Sequence, residues 1–245
     1  MSERPLAECL IFTAALLLKG CRHVAVGARS PIPAGAALLA RALSGGTMRV
    51  SLLGSLRDTM FTNGGVELFD CAAQGRIDAF FLGGGEIDGQ GNVNLLGLGG
   101  HPGKSMRWPG CFGSTYLYHH VPRVILFREE HDRRILVSRV EFVSAAGPDG
   151  TDQTRRGGPT ALLTSMALFT FNRERRRFQL NSVHEGHDAR EVAAATGFVY
   201  DVPASVPATP APGAEVIELL RGKVHHELRA VYPRFAAELE GSRVD

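Results

Sequence analysis

The 245-residue chain predicts an α/β fold: an open, mostly parallel sheet with flanking helices and additional antiparallel strands in its C-terminal half. Two observations carry that expectation. As far as Leu82, short apolar runs alternate with helix-like stretches, the pattern of strands joined by covering helices. Beyond Val124 the texture changes to strand-like runs separated by polar turns, without regular helices between them.

The elements follow in order. Leu6 to Leu18 reads as a helix closed by Lys19-Gly20, a cation followed by a C-cap glycine. His23 to Val26 is a strand. Pro33 to Leu43 is an Ala/Leu-rich helix ended by Gly45-Gly46, and Val50 to Leu53 is a second strand. Val66 to Ala73 is helical and Ile77 to Leu82 is a third strand that enters Gly83-Gly84-Gly85. Val124 to Phe127, Ile135 to Val143 and Leu162 to Phe171 are strand-like, and Phe178 to Val183 pairs with the last of these through the basic turn Arg173 to Arg177. Asp188 to Thr196 is a short helix capped by Asp188 and stopped by Gly197. The chain is expected to form one domain over 1–245, in which 203–245 is a proline-rich connection followed by a C-terminal helix from Glu215 to Val231.

Composition excludes several classes. With 44% hydrophobic and 21% charged residues the chain is globular, and its glycines lack a three-residue period. It is long enough to bury a core without disulfide or metal staples. A net charge of +2 is too small to argue for nucleic acid, and Arg133-Arg134 and Arg173 to Arg177 read as solvated strand ends or turns. The four cysteines, Cys9, Cys21, Cys71 and Cys111, have no metal-ligand spacing and read as reduced thiols. The apolar run Cys9 to Leu18 is about half of the ~20 residues that a membrane span requires. It follows Glu3 and Glu8 rather than a basic region, so it is expected to be a buried helix in a cytoplasmic protein without membrane contact.

The segment from Phe80 to Asn94 concentrates the chemistry. A buried strand runs into three glycines and then into an acidic, amide-rich loop, Glu86-Ile87-Asp88-Gly89-Gln90-Gly91-Asn92-Val93-Asn94. Glycines there let backbone N–H groups converge on an anion, and loops at the carboxyl ends of strands are where open α/β sheets bind ligands. The same residues also suit a tight turn at Asp88-Gly89 and Gly91-Asn92. No helix pattern follows and no Gly-Lys-Ser/Thr is present, so the segment is neither a dinucleotide fingerprint nor a P-loop.

Gly83 to Asn94 resembles the G-A-x-Q-I-D-x-x-G-N-x-N signature of β-type subunits of family I CoA-transferases, those acting on glutaconate in particular. The likeness continues through Arg107-Trp108-Pro109-Gly110-Cys111-Phe112-Gly113, where the family shows R-L-P-G-S-G-G, and through Arg128 to Arg134 and Val140 to Gly147. Gly157-Gly158-Pro159, Thr196-Gly197-Phe198 and Pro207 to Pro212 follow in the family's order, so the resemblance covers roughly residues 65 to 220. It implies a CoA-transferase-like α/β fold and an α-type partner, in a heterodimer or α2β2 heterotetramer whose site lies between subunits. The implied substrates are acyl-CoA thioesters of dicarboxylic or keto acids, with no permanently bound cofactor and no metal. In the transferases a β-subunit glutamate attacks the thioester and passes through anhydride and glutamyl-CoA intermediates. The resemblance further implies that Gly83, Gly84, Gly85, Asp88, Gly91, Asn92, Gly110, Cys111, Phe112 and Gly113 bind substrate or CoA.

Two departures stand out. The family glutamate falls at the end of the strand over Val50 to Leu53, where this chain has Gly54-Ser55 and no carboxylate before Asp58. A serine cannot form the anhydride, and as a nucleophile Ser55 lacks an evident base, the nearest histidine in sequence being His23. Phe112 replaces a glycine, narrowing the cleft or lining an apolar acyl pocket. Similar substitutions fit the hydrolases that cleave CoA-linked cyclic diketones, where the partner can supply the carboxylate. A non-catalytic CoA-binding subunit that completes the partner's site is a third reading.

Glu86 stands where the family commonly has Gln. It is the candidate catalytic residue, paired with Asp88 two residues on for acid–base work; the alternative for Asp88 is to hold the turn through its own backbone. His119-His120 are expected at a helix end, and Trp108 and Phe112 to pack the loop. His184 and His187 lack further ligands for a metal, and adjacent His225-His226 on a helix cannot chelate one ion.

Overall fold

A computed structural model describes residues 3–100, 103, 105–152 and 154–240, with side chains from residue 6 onward. The elements run α1 (Glu3–Leu17), β1 (His23–Val26), α2 (Pro31–Leu43), β2 (Arg49–Leu52), α3 (Gly64–Ala73) and β3 (Ala79–Leu82). Four two-residue strands come next: β4 (Glu86–Ile87), β5 (Val93–Asn94), β6 (Gly97–Leu98) and β7 (Met106–Arg107). After α4 (Ser114–His120) come β8 (Arg123–Phe127), β9 (Pro159–Leu163), β10 (Ala167–Asn172), β11 (Arg177–Val183) and α5 (Ala189–Ala195). The chain closes with α6 (Ala214–Leu219), a π-helical segment Leu220–Val224, α7 (His225–Val231) and α8 (Pro233–Glu240).

These elements group into two compact units, each discontinuous in sequence. The first comprises 1–64, 76–81 and 210–245. Its sheet is parallel: β1 lies between β2 and β3, with Val24 opposite both Val50 and Ala79. All four residues of β1 are buried, as a strand covered on both faces requires. Helix α1 is the buried helix expected, with Leu10, Ile11, Ala14 and Ala15 inside. Ion pairs tie the ends of this unit. Arg221, in the π-helical segment, meets Glu8 of α1, and Arg41 of α2 bridges Asp58 at 2.9 Å and Glu227 of α7 at 3.1 Å.

The second unit comprises 65–75 and 82–209. Strands β8 and β9 are parallel, while β9, β10 and β11 form an antiparallel meander with Phe169 opposite Leu162 on one side and Leu180 on the other. Phe169, Phe171, Phe178 and Phe198 meet largely edge to face in its core. The seven longer strands therefore combine parallel pairing with antiparallel pairing confined to the C-terminal half, as the sequence predicts.

Two strand expectations are corrected. Leu162 to Phe171 is not one strand: Thr164 breaks it, its hydroxyl accepting the amides of Met166 and Ala167 and so building a turn between β9 and β10. Ile135 to Val143 is irregular: its backbone meets the β4–β5 hairpin in isolated bridges rather than a ladder, Ile87 with Leu136 and, just beyond, Val93 with Ala145. The C-terminal helix carries a π-helical segment and is followed by a further short helix, α8. The cap of α5 is as expected, a reciprocal box between Asp188 and Glu191. The proline-rich connection is extended. It pairs with β11 through Asp201, which exchanges backbone bonds with Phe178 and Leu180, and through the backbone of Val183, which bonds Pro207 and Thr209.

Two buried histidines hold this unit together. His184 Nε2 donates to the Thr164 carbonyl at 2.9 Å, so its Nδ1 is bare and accepts the Thr209 hydroxyl at 2.8 Å, and Ser182 in turn donates to Thr209. Thr196 gives its hydrogen to the Val192 carbonyl. His131 Nε2 therefore donates to Thr196 Oγ1 at 2.9 Å, and its Nδ1 accepts from Thr164 Oγ1 at 2.7 Å. With the Thr164 hydroxyl turned to His131 at 2.7 Å rather than to the Ala167 carbonyl at 3.2 Å, this assignment satisfies both rings as neutral imidazoles. Burial pushes both imidazoles down to about 4. Because the unfolded chain takes up these protons first, near the ordinary value of about 6.5, stability holds above pH 7 and falls as pH drops toward 4. Each ring is expected to cost about 3 kcal/mol at pH 4 relative to pH 7. Urea unfolding at pH 7, 6, 5 and 4 measures this, and a His184→Gln chain is expected to show a shallower decline.

Candidate active site

Strand β3 delivers the chain to Gly83-Gly84-Gly85. A Cβ on Gly85 would enter the ring of Trp108, so the indole lies flush on the backbone there, as expected of a packing residue. Trp108 is held in place by its own amide, which donates to the Leu96 carbonyl. Gly84 packs as tightly against the Val93 side chain of β5, while Gly83 is exposed.

The β4–β5 hairpin is closed by Asp88. One oxygen accepts the amides of Gln90 and Asn92 at 3.0 and 3.1 Å. The other accepts Asn92 Nδ2 at 3.0 Å and the Val140 amide at 3.4 Å. Asn92 Oδ1 reaches the Gly147 amide at 2.9 Å. Gly91 takes φ +78° and passes close to Pro159, and its carbonyl accepts the Tyr118 hydroxyl at 2.6 Å. Burial raises that phenol well above its ordinary range, keeping it a donor.

Glu86 is 7% exposed and Asp88 3%. Glu86 Oε2 accepts Asn94 Nδ2 at 2.7 Å and the Glu141 amide at 2.9 Å. Asn94 binds on through Nδ2 to the Gly97 carbonyl and through Oδ1 to the Leu96 amide. The side chain of Glu141 completes the brace by accepting the amides of Gly99 and Gly100 at 3.0 and 2.8 Å. The two carboxylates thus share one job: both clasp the 140–141 segment onto the hairpin. Asn94 and Glu141 were not among the predicted site residues. Asn94 lies inside the acidic loop and Glu141 beside Val140, but their joint role depends on pairings 55 residues apart.

The second glycine loop is built on left-handed backbone. Gly110, Phe112 and Gly113 have φ of +88°, +31° and +93°. A Cβ on Gly113 would enter the Phe69 ring, whereas Phe112 occupies a conformation that disfavours a side chain. Its ring is 84% exposed and meets Phe69 at 5.9 Å, so it shields little of the loop it was expected to pack. The Cys111 thiol is half-buried, and its carbonyl accepts the Ser114 amide at the start of α4. His119 and His120 end α4 as expected, His119 facing Asp152 at 3.4 Å.

The end of β2 lies in the other unit. Gly54 turns the chain at φ +92°, and Ser55 Oγ accepts the amides of Arg57 and Asp58, which makes it a buried turn residue. The Asp58 carboxylate is engaged by Arg41. His23 bonds Ser51 at 2.9 Å and the Arg76 carbonyl at 2.9 Å, so its ring is committed to the interior rather than to Ser55. Among the described residues no group of three or more His, Cys, Asp or Glu could hold a metal ion. No helix of the described residues is long and apolar enough to cross a membrane.

The clasp sets a stability order. Replacing Asp88 with Ala would strand up to four donors, the Val140 amide buried and those of Gln90 and Asn92 partly buried, and is expected to cost about 2–3 kcal/mol. Asp88→Asn keeps one accepting oxygen and falls between, while Glu86→Gln can still accept from Asn94 and is expected to be mildest. Thermal and urea unfolding of the three variants checks the order.

The coenzyme A transferase family model matches residues 14–195. Over 177 residues the chain is 28% identical to the B-type subunit of 3-oxoadipate CoA-transferase from Pseudomonas knackmussii, covering 69% of this chain and 66% of that one. Over 151 residues it is 26% identical to the B-type subunit of glutaconate CoA-transferase from Acidaminococcus fermentans, covering 59% and 56%. The chain thus spans less than two thirds of either relative's length. Its fold is that of the decarboxylase AibA/AibB, with a TM-score of 0.77 at 24% identity over 96% of this chain and 98% of that one. With the family pattern matched across most of its length, the chain belongs to the coenzyme A transferase family.

Proposed function

We propose that this chain is the β-type subunit of a two-subunit, CoA-transferase-like enzyme that acts on acyl-CoA thioesters of dicarboxylic or keto acids. The family match over 14–195 supports the reading, as do two relatives that are both B-type subunits of CoA-transferases. In it, an α-type chain joins this one as a heterodimer or α2β2 heterotetramer. The loops Gly83 to Asn92 and Gly110 to Gly113 receive the CoA thioester, and Glu86 and Asp88 are positioning residues that fix the first loop.

The observation that carries the mechanism is the end of β2. The strand ends in a glycine and a turn-forming serine, and the next carboxylate, Asp58, is paired with Arg41. This chain therefore offers no free carboxylate there to attack a thioester. In a transferase the nucleophile then comes from the partner: its carboxylate adds to the thioester carbonyl, the CoA thiolate leaves, and an anhydride forms.

The same observation favours a second reading, hydrolysis of a CoA-linked cyclic diketone. Water adds to a ring carbonyl, the adjacent C–C bond breaks, and the departing carbon takes a proton as an enol or ketone. The product keeps its CoA thioester and gains a carboxylate. This chemistry needs no glutamyl-CoA intermediate. That a decarboxylase shares the fold agrees with the principle that scaffold and reaction are separable.

Native mass spectrometry of the chain purified from its host is expected to show a complex with a second polypeptide; a complex built only of this chain would sink the two-subunit reading. The complex is then incubated with acyl-CoA and reduced with borohydride, which captures acyl-CoA-derived enzyme thioesters. The expectation is that no modified peptide derives from this chain, and a modified carboxylate in it would overturn the mechanism. Transfer of CoA to an added acid supports the transferase, whereas a CoA-retaining product carrying 18O from water supports the hydrolase.

A further inference from the structure

A cleft of about 570 Å³ opens in the second unit at the turn end of the β4–β5 hairpin. Four separate loops wall it: the hairpin turn at Gly89-Gln90, the segment Ser138-Arg139, the β10–β11 turn Arg175 to Arg177, and Gly197 to Val199 after α5. The volume lies within the range of small-molecule sites.

Its charge is unbalanced. Asp201 is shared between Arg175 at 3.0 Å and Arg177 at 3.2 Å, one carboxylate for two guanidinium groups. Arg176 donates to the Asp149 backbone carbonyl at 2.8 Å, a neutral acceptor. Among the described residues neither Arg139 nor Arg176 forms an ion pair, and both are exposed. Asp88 lines the floor, but its oxygens already accept from Gln90, Asn92 and Val140. Four cations thus line the cleft with one anion, Asp88, and the nearby Asp201 is engaged by two of them. Arg176 also sits at φ +49°, a left-handed turn position that a flexible side chain seldom occupies.

The other walls are apolar. Val143 and Val199 line the cleft while 46% and 74% exposed, and the Phe198 ring closes it from the aromatic core. Guanidinium groups converging on one cleft match phosphate oxygens, and exposed apolar side chains beside them match a flat, uncharged body. We infer that this cleft binds a phosphate-bearing ligand of nucleotide size, its phosphate on Arg139 and Arg176 and its base against Val143 and Val199. The ligand has two possible sources, a free nucleotide or the nucleotide end of a CoA ester; the second source rests on the reading above, because Gly89, Gln90 and Asn92 of the CoA-receiving loop also wall this cleft.

Isothermal titration calorimetry of the full chain, in its native complex if it has one, tests this with adenosine 3′,5′-bisphosphate, ATP, CoA and unphosphorylated adenosine. At least one of the phosphorylated probes is expected to bind, with adenosine much weaker and affinity falling as salt rises. Arg139→Gln combined with Arg176→Gln is expected to weaken binding about tenfold or more. Both positions are exposed and outside the ion pairs, and circular dichroism confirms that the variant is folded. Displacement of the bisphosphate by CoA, with equal sensitivity to the two substitutions, assigns the site to the CoA ester. Binding of ATP or the bisphosphate that CoA does not displace assigns it to a free nucleotide. Absence of binding by all three phosphorylated probes, or binding that the two substitutions leave unchanged, overturns the inference.

Discussion

Glu86 and Asp88 reach the same partner from adjacent same-face positions, and much of the second unit's irregular chain is placed by that clasp. A hairpin with two-residue strands is too short to be stable alone. It is fixed because two nearly buried carboxylates accept the amides of Glu141 and Val140, while Ile87 and Val93 bond the backbone of the same passing segment. A buried carboxylate is costly unless its oxygens are met by donors, and here the donors are backbone amides that would otherwise be orphaned far from any regular element. One arrangement solves both problems. The loop carrying Trp108, the turn at Gly91 and the strip from Ser138 to Gly147 all take their positions from it.

The same economy recurs in the histidine chain. His131 and His184 are each satisfied at both ring nitrogens by hydroxyls and a carbonyl drawn from the β9–β10 turn, the end of α5 and the proline-rich segment. Thr164 is the hinge of the network, its carbonyl serving one ring and its hydroxyl the other. Polar groups here do what hydrophobic packing does elsewhere, but with direction: one neutral tautomer of each ring fits.

Much of the fold was legible because it rests on local pattern. The alternation of buried runs and helices through Leu82, the capped helix at Asp188 and the extended segment after Pro203 are written in periodicity, capping residues and proline content. The misread strands fail for an identifiable reason. Leu162 to Phe171 is apolar but for Thr164, Ser165 and Thr170, and the bonds that Thr164 makes to Met166 and Ala167 reveal a turn. Ile135 to Val143 has the apolar content of a strand, but its partner is a hairpin too short to extend a ladder. The candidate site was legible as a location rather than as a mechanism. Glycine content marked both loops, yet the duties of Glu86, Asn94 and Glu141 depend on pairings across dozens of residues. The basic turn at Arg173 to Arg177 read as solvated surface because sequence cannot show that Arg139 faces the same cleft.

The pairing of Asp201 and of the Pro207–Thr209 stretch with β11 has a consequence for how this protein meets other molecules. An open antiparallel edge is a template on which foreign strands grow, and proteins that leave one bare risk fibrillar growth. Here that margin carries the chain's own extended segment, whose prolines offer no amide hydrogen on which a further ladder could build. Recognition by strand addition is closed along β11. Any association there must use side chains, and a cut within the proline-rich segment would turn a quiet border into a sticky one.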